Sequence, residues 1–343
     1  MERRLTELWY RDDPGPGPLQ PLAWLYGALV RARRAAFAAG WARSTDVGVP
    51  VVVLGNLTVG GTGKTPLTIW LAGQLKARGF AVGIVSRGYG RSGAGEARDV
   101  SASSDWRQVG DEPVLLARRS GCDTVVAADR VAGARRLAGR GAQVILADDG
   151  LQHLRLARSC EVLLIDGARG FGNGRLLPAG PLREAPTRPL HADVVVVNGA
   201  ATHGSLSRWL RPGEALTMQL AGEEALCLAG QQPPQPLRLW QGRRVHAVAG
   251  IGNPARFFRE LRGRGIEVIE HAFPDHHAFR ASELQFADEL PVLMTEKDAV
   301  KCVQFASARL WYVPVTAHFG EGDAERLLTR VLAKITGAAP QRS

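Results

Sequence analysis

Short apolar runs rich in β-branched residues recur through the first two thirds of the chain without polar alternation. They are Val51 to Leu54, Phe80 to Val85, Val144 to Leu146, Val162 to Ile165 and Val194 to Val197. A strand buried on both faces has no polar side, so unalternated runs predict a parallel sheet covered by helices. Pro66 to Ala77, Pro113 to Arg119 and Arg130 to Leu137 read as helices between them. The alternation predicts a doubly wound α/β domain. Leu216 to Leu220 does alternate, and Glu224 to Leu228 is expected to pair with it across a turn. The string from Gly230 to Pro236 (GQQPPQP) has linker composition. Val245 to Ala249, the glycine pair Gly250 and Gly252, a helix from Pro254, and apolar runs at Val268-Ile269, Val292-Leu293 and Trp311 to Val315 then predict a second, smaller α/β lobe. The expected division is an N-terminal segment over 1–43, a first domain over 44–226, the smaller lobe over 227–336 and a frayed tail over 337–343.

Composition changes this picture in one respect. With 343 residues, 45% hydrophobic and 22% charged, the chain is ordinary globular protein, which excludes collagen-like, disordered and disulfide-stapled classes. Its net charge of +10 is not ordinary, and points to phosphate on nucleic acid, on a membrane surface or on an acidic substrate. Arg supplies nearly all of that charge, leaving Lys64, Lys76, Lys297, Lys301 and Lys334 as the lysines. Cys122, Cys160, Cys227 and Cys302 are scattered without a C-x-x-C pair, so they read as buried thiols of a reduced compartment.

The opening Met1-Glu2-Arg3-Arg4 does not read as a secretory signal. Leu22 to Val30 is apolar, carries Trp24 and Tyr26 and ends in Arg31, Arg33 and Arg34. It falls short of the ~18–20 residues that span a bilayer. Two readings stay open: a helix lying in the membrane interface, and a helix packed on the protein's own core. Residues 1–43 hold seven Arg against four acids, a net of +3.

The strongest chemical motif runs from Gly55 to Thr65 (GNLTVGGTGKT), after a buried strand and before a helix. Glycines let backbone N–H groups converge on phosphate oxygens, and the helix N-terminus adds partial positive charge. The nucleotide phosphates are therefore expected on Thr58, Val59, Gly60, Gly61, Thr62, Gly63, Lys64 and Thr65. Lys64 is expected on the β- and γ-phosphates and Thr65 on Mg²⁺. The strict pattern G-x-x-x-x-G-K-[ST] fails at Thr58, and the double-glycine variant lacks its signature Lys at Val59, so the subclass stays open. Asp148 and Asp149, ending the run from Val144, are the expected Mg²⁺ acids, because adjacent carboxylates after an apolar strand are costly unless they face a cation. Asp111 and Glu112 stand before Pro113 and read on their own as a helix cap. Arg87, Tyr89 and Arg91 in Ser86 to Arg91 suit a phosphorylated ligand or a plain surface loop equally. Thr295-Glu296-Lys297-Asp298 is not the guanine signature N/T-K-x-D.

The ordered set of strings resembles one family, tetraacyldisaccharide 4′-kinase of lipid A synthesis. The matching strings are Gly55–Pro66 (GNLTVGGTGKTP), Ser86–Arg91 (SRGYGR), Gly110–Pro113 (GDEP), Asp148–His153 (DDGLQH), Leu177–Glu184 (LPAGPLRE), Phe273–His277 (FPDHH) and Met294–Cys302 (MTEKDAVKC). Thr58, a defect against the general pattern, is the residue that the family's own motif carries. The resemblance implies transfer of the ATP γ-phosphate to the 4′-hydroxyl of a tetraacylated glucosamine disaccharide 1-phosphate. It implies two lobes closing by a hinge and peripheral attachment to the cytoplasmic face of the inner membrane through the N-terminal helix. It makes Asp111 the candidate base, His276 the partner that orients or tunes it, and Asp148 and Asp149 the Mg²⁺ acids. Arg87, Tyr89, Arg91, Glu112 and Arg183 are the candidate substrate contacts. No nucleic acid and no stable protein partner are expected, since aromatics are only 6% and no nucleic-acid motif is present. Another P-loop transferase, a nucleotide-switch ATPase and a basic nucleic-acid-binding module are the rival readings.

Overall fold

The computed structural model describes residues 8–10, 17–88, 96–210 and 213–337. The helices are α1 (Gln20–Ala38), α2 (Lys64–Ala77), α3 (Trp106–Val109), α4 (Asp111–Ser120), α5 (Arg130–Ala138), α6 (Ser205–Trp209), α7 (Pro254–Gly263), α8 (Glu296–Cys302) and α9 (Asp323–Gly337). The first sheet has nine strands in the order β15-β8-β7-β6-β1-β5-β2-β4-β3. They are β1 (Val51–Gly55), β2 (Val82–Ser86), β3 (Arg98–Val100), β4 (Asp123–Val126), β5 (Val144–Asp148), β6 (Cys160–Asp166), β7 (Val194–Asn198), β8 (Leu216–Ala221) and β15 (Thr316–Phe319). All pairings in it are parallel except those of the edge strands β3 and β15. The unalternated runs are buried on both faces, with β1, β2, β5 and β7 buried at every position. One apolar layer packs α2 and α9 against the sheet, and a second packs α5 against its other face.

The second sheet has six strands in the order β10-β9-β14-β13-β11-β12. They are β9 (Glu224–Cys227), β10 (Gln235–Pro236), β11 (Arg244–Ala249), β12 (Glu267–Ala272), β13 (Val292–Thr295) and β14 (Leu310–Val313). The two-lobed α/β architecture expected from the sequence is thus present, with two differences in detail. β8 and β9 do not pair: β8 joins β7 and β15, while β9 joins β10 and β14. The run at Trp311 to Val315 is not one strand either. Pro314 lacks the N–H that a ladder needs, and the chain passes there from β14 in the second sheet to β15 in the first. The expected boundary at 226/227 therefore falls within β9, and the stretch expected as the smaller lobe returns β15 and α9 to the first sheet. Gly337, expected in the tail, ends α9, and residues 338–343 lie outside the described residues. All four cysteines are free and buried.

The lobes meet through side chains as well. Val300 of α8 shares an apolar cluster with Val114, Leu115 and Ala117 of α4, and Arg119 of α4 donates to the Glu296 carboxylate at 2.7 Å. These contacts fix the middle and the C-terminal end of α4 against the second lobe. α1 docks on the first lobe through Tyr26, whose hydroxyl donates to the Arg183 carbonyl at 3.0 Å, and through an Arg34–Glu184 ion pair. A Cβ on Gly27 would lie 2.7 Å from Leu176 Cδ1, so glycine lets the helix sit this close without moving that leucine. The opposite side of α1 stays apolar and open: Leu22, Trp24, Leu25 and Leu29 are each more than half exposed. Of the two open readings of this helix, the packed one is met. It packs on the protein's own surface with Tyr26 facing inward, and it leaves an unpartnered apolar face. No described helix is long and apolar enough to cross a membrane.

Candidate active site

The glycine-rich loop leaves β1 and enters α2 as the motif requires. Gly60 and Gly63 hold φ of 108° and 98°, a region that costs an L side chain strain, and Gly63 is the residue from which α2 starts. Asn56, fully buried, scaffolds the loop: its Nδ2 donates to the Thr58 carbonyl at 2.8 Å. Its Oδ1 accepts from Lys64 Nζ at 2.9 Å. The segment carrying LPAGPLRE braces the other side, with Val59 N donating to Pro181 O at 2.9 Å and Arg183 N to Leu57 O at 2.7 Å.

Behind the loop stand the two acids, in contrasting states. Asp148 ends β5 almost fully buried and accepts from Thr68 Oγ1 of α2 at 3.2 Å. Burial, then the charge of Glu112, push its pKa up to about 7, against the pull of Lys64. Asp149 lies 3.5 Å from Lys64 Nζ and accepts from Arg183 Nη1 at 3.2 Å. Burial raises its pKa too, but Lys64 and Arg183 outweigh burial and bring it below the ordinary carboxylate value. Hydroxyl and carboxylate oxygens are the donors that Mg²⁺ takes, and the set of Thr65, Asp148 and Asp149 fits that ion by its chemistry. Among the described residues no group of three or more His, Cys, Asp and Glu could hold a metal by itself. A cation here would lean on hydroxyl and nucleotide phosphate oxygens.

The second centre joins residues distant in sequence. Gly110, at φ 95°, takes the cap position of α4, and Asp111 begins the helix only 3% exposed. His276 Nδ1 lies 3.1 and 3.0 Å from its two carboxylate oxygens, across 165 positions of chain. Burial alone would raise the Asp111 pKa, but the His276 hydrogen bond and the charges of Lys297, His276 and Lys301 overcome it and hold it at about 2. His276 responds in the opposite sense. Burial lowers its pKa, yet the hydrogen bond to Asp111 leaves it raised. Among the described residues, Asp149 (φ 48°) and His276 (φ 59°) are the non-glycine residues with positive φ, so backbone strain falls on one residue of each centre.

The chain segments of the second lobe close over the loop. A Cβ on Gly252 would stand 3.1 Å from Gly61 N and 3.4 Å from Asp275 Oδ2, and Arg169 Nη2 donates to Gly252 O at 3.4 Å. Arg256 of α7 donates to Asn198 Oδ1 at 3.3 Å, and Asn198 Nδ2 donates to Thr62 O at 2.8 Å.

These strings and this geometry agree with the comparisons. The family model for tetraacyldisaccharide-1-P 4′-kinase matches residues 17–335. The chain belongs to the tetraacyldisaccharide-1-P 4′-kinase family. Proteins described as tetraacyldisaccharide 4′-kinase from Alkalilimnicola ehrlichii and Xanthomonas euvesicatoria are 50% and 48% identical to it over 328 and 332 residues. Those matches cover 94% and 96% of this chain and 95% and 96% of the relatives. A crystal structure described as the "apo" form of LpxK from Aquifex aeolicus in complex with ATP is similar in fold, with a TM-score of 0.74 and 29% identity, covering 92% of this chain and 98% of that one. The 4′-kinase reaction of lipid A synthesis is accordingly the activity of this chain.

Against this 4′-kinase family frame, the expected loop residues, Lys64, Asp148 and Asp149 form one cluster, and Asp111 with His276 forms the other. Arg183 lies against Asp149, Glu112 against Lys297, and Arg87 is exposed directly after β2. Tyr89 and Arg91 lie outside the described residues. The motif reading gave no role to Asn56, Asn198, Arg169 and Arg256, which build or approach the loop, or to Lys297 and Lys301, which flank the Asp111–His276 pair, although Asn56, Lys297 and Lys301 stand in the matched strings. The scarcity of lysine was the available signal for the last two.

Proposed function

We propose that the two centres act as the two halves of one phosphoryl transfer, with ATP as donor and the 4′-hydroxyl of a tetraacylated glucosamine disaccharide 1-phosphate as acceptor. The observation that carries this reading is the Asp111–His276 contact at 3.0 Å, made between lobes and beside the phosphate loop. Phosphoryl transfer asks a protein for positioning and charge neutralisation. Lys64 and the loop amides offset charge on the transferred group. Thr65, Asp148 and Asp149 would hold Mg²⁺, which when bound supplies further positive charge at the phosphates. Asp111 takes the acceptor proton, and does so late, because a carboxylate of low basicity gains the proton only once the O–P bond has made the hydroxyl acidic. Glu112, paired with Lys297, and Arg183, paired with Asp149, would serve the sugar headgroup.

Apposition of the second lobe to the loop, through Gly252 and Arg256, supports a site that is complete only when the lobes meet, which keeps water from the γ-phosphate. ATP hydrolysis without lipid is therefore expected to run at least about 100-fold slower than transfer to lipid, within the range that closure and acceptor positioning supply. A coupled ADP assay with and without the lipid checks this, and equal rates would favour a nucleotide-switch ATPase.

The exposed Leu22, Leu25 and Leu29 suit insertion into the surface that holds the acylated acceptor, with basic residues adding about 1 kcal/mol each near anionic headgroups. We assign this face to peripheral contact with the cytoplasmic leaflet of the inner membrane. Leu25→Asp with Leu29→Asp is expected to release the protein from anionic vesicles in a flotation assay while soluble turnover persists. Point charges test this better than removal of residues 1–43, because Tyr26 and Arg34 brace the Arg183–Glu184 segment. Undiminished flotation of the double variant would remove the helix from this role.

A further inference from the structure

Lys297 lies at the start of α8, where one ammonium meets three partners from two segments, α4 and the loop of Asp275 and His276. Its Nζ is 2.9 Å from Glu112 Oε1, 3.2 Å from Asp275 Oδ1 and 3.4 Å from His276 Nε2. The side chain is largely buried, at 16% exposure. His276 is thus held at both ring nitrogens: a carboxylate at Nδ1 and an ammonium at Nε2.

An ammonium has donors only and a carboxylate has acceptors only. The neutral tautomer with its proton on Nδ1 satisfies both neighbours, donating to Asp111 and accepting from Lys297. The other tautomer sets N–H against the ammonium and a lone pair against the carboxylate, and is repelled on both sides. We propose that Lys297 is a positioning residue of the transfer reaction: it fixes the His276 proton on Nδ1 and so orients the Asp111 carboxylate. This rests on the reading of Asp111 as the base.

The surrounding charges fit this arrangement. Those facing the imidazole are Asp111 from α4, Asp275 from its own loop and Lys297 from α8, with Lys301 of α8 behind Asp111 at 4.0 Å and Glu112 beside Lys297. Burial lowers the Lys297 pKa, but Glu112, Asp111 and Asp275 raise it further, so the ammonium is retained across the working range. Its charge lowers the His276 pKa, opposing Asp111 and Asp275. Removing that charge therefore raises the His276 pKa, and any acidic limb of activity that needs neutral imidazole moves to higher pH. Lys297 also ties Glu112 of the first lobe to the loop of Asp275 and His276, which a purely structural role would explain as well. The test must separate the two.

The measurement is long-range ¹H–¹⁵N NMR of the histidine rings in the intact chain, with His276 assigned from His276→Gln, in wild type, Lys297→Gln and Lys297→Met. Each variant is paired with a kcat–pH profile. Gln keeps an N–H donor toward Nε2 without the charge; Met keeps neither. Wild type is expected to show the Nδ1–H form. Lys297→Gln should retain it with a raised His276 pKa, and Lys297→Met should show mixed tautomers, the same upward shift of the acidic limb, and kcat lowered at least about tenfold, as loss of a general-base orientation implies. Amide donation from Gln Nε2 should recover most of that loss. An Nε2–H form in wild type, or tautomer and pH profile unchanged in Lys297→Met, would overturn the proposal, as would equal losses in Gln and Met with Nδ1–H intact in both. Failure of the base reading itself is seen separately, as undiminished transfer by Asp111→Asn with the wild-type tautomer still on Nδ1.

Discussion

Asp111→Asn is expected to lower kcat by about 10²- to 10⁴-fold, the range that a positioned general base contributes, with the KM for nucleotide nearly unchanged. Asn keeps the volume of the side chain and can still accept from His276, so packing at the start of α4 survives. What disappears is the site that receives the proton. The Asp111 carboxylate accepts from Glu112 N at 2.8 Å and faces His276 at 3.0 Å, and these contacts leave little freedom to rotate. Since its pKa is depressed to about 2, the folded-state carboxylate is already ionised throughout the neutral range. The stability that ionisation brings is present above the unfolded carboxylate value, about 3.9, and is lost only as pH falls through about 2. Any limb of the rate profile near neutrality must therefore come from another group. Steady-state kinetics over pH 5 to 9 (on the order of the imidazole range) check the assignment, and a variant within threefold or so of wild type, against the factor of about 100 expected, removes Asp111 from the role of base.

Lys64→Ala is expected to cost about 10³-fold in kcat/KM, somewhat more than one neutral oxyanion donor, because a charged group is lost at the transferring phosphoryl. The seat of this lysine is built. Asn56 Oδ1 takes one donor at 2.9 Å, and Asp149 stands at 3.5 Å, so the ammonium is held at the mouth of α2 by the protein itself. Lys64→Arg should rescue poorly, since a planar guanidinium cannot reproduce a point charge in that seat. Single-turnover transfer separates the chemical step from binding, and thermal melting checks that the variant is folded. Removing Lys64 also frees Asp149 from its strongest counter-charge, leaving Arg183 and Arg130.

The first sheet was legible because strands buried on both faces carry an unmistakable run of branched apolar residues, and the phosphate loop because backbone chemistry demands glycine at fixed places. Less regular elements escaped. β3 (Arg98–Val100) and the strand passage at Pro314 are short and depend on tertiary partners. α9 belongs to the first sheet although its sequence follows the second, a fact about topology that local pattern cannot carry. In the site, residues that touch phosphate or abstract protons stood in family strings. Asn56 and Lys297 stand in those strings too, but they act through contacts across 8 and 185 positions of chain, which no local pattern shows. The fold also changes how lobe closure is tested: residues 44–226 alone would lose β15 and α9 from the first sheet, so their inactivity would report on folding rather than closure.

The central claim is that one chain moves the γ-phosphate of ATP to the 4′ oxygen of the lipid through Lys64 and Asp111. The direct measurement is transfer of γ-labelled phosphate to the tetraacylated disaccharide 1-phosphate in mixed micelles, with the labelled position mapped, for wild type, Lys64→Ala and Asp111→Ala. The account predicts label on the 4′ oxygen with wild type and its loss, by at least about 100-fold, in both variants; equal transfer by all three, or label released as inorganic phosphate with none on the lipid, would contradict it.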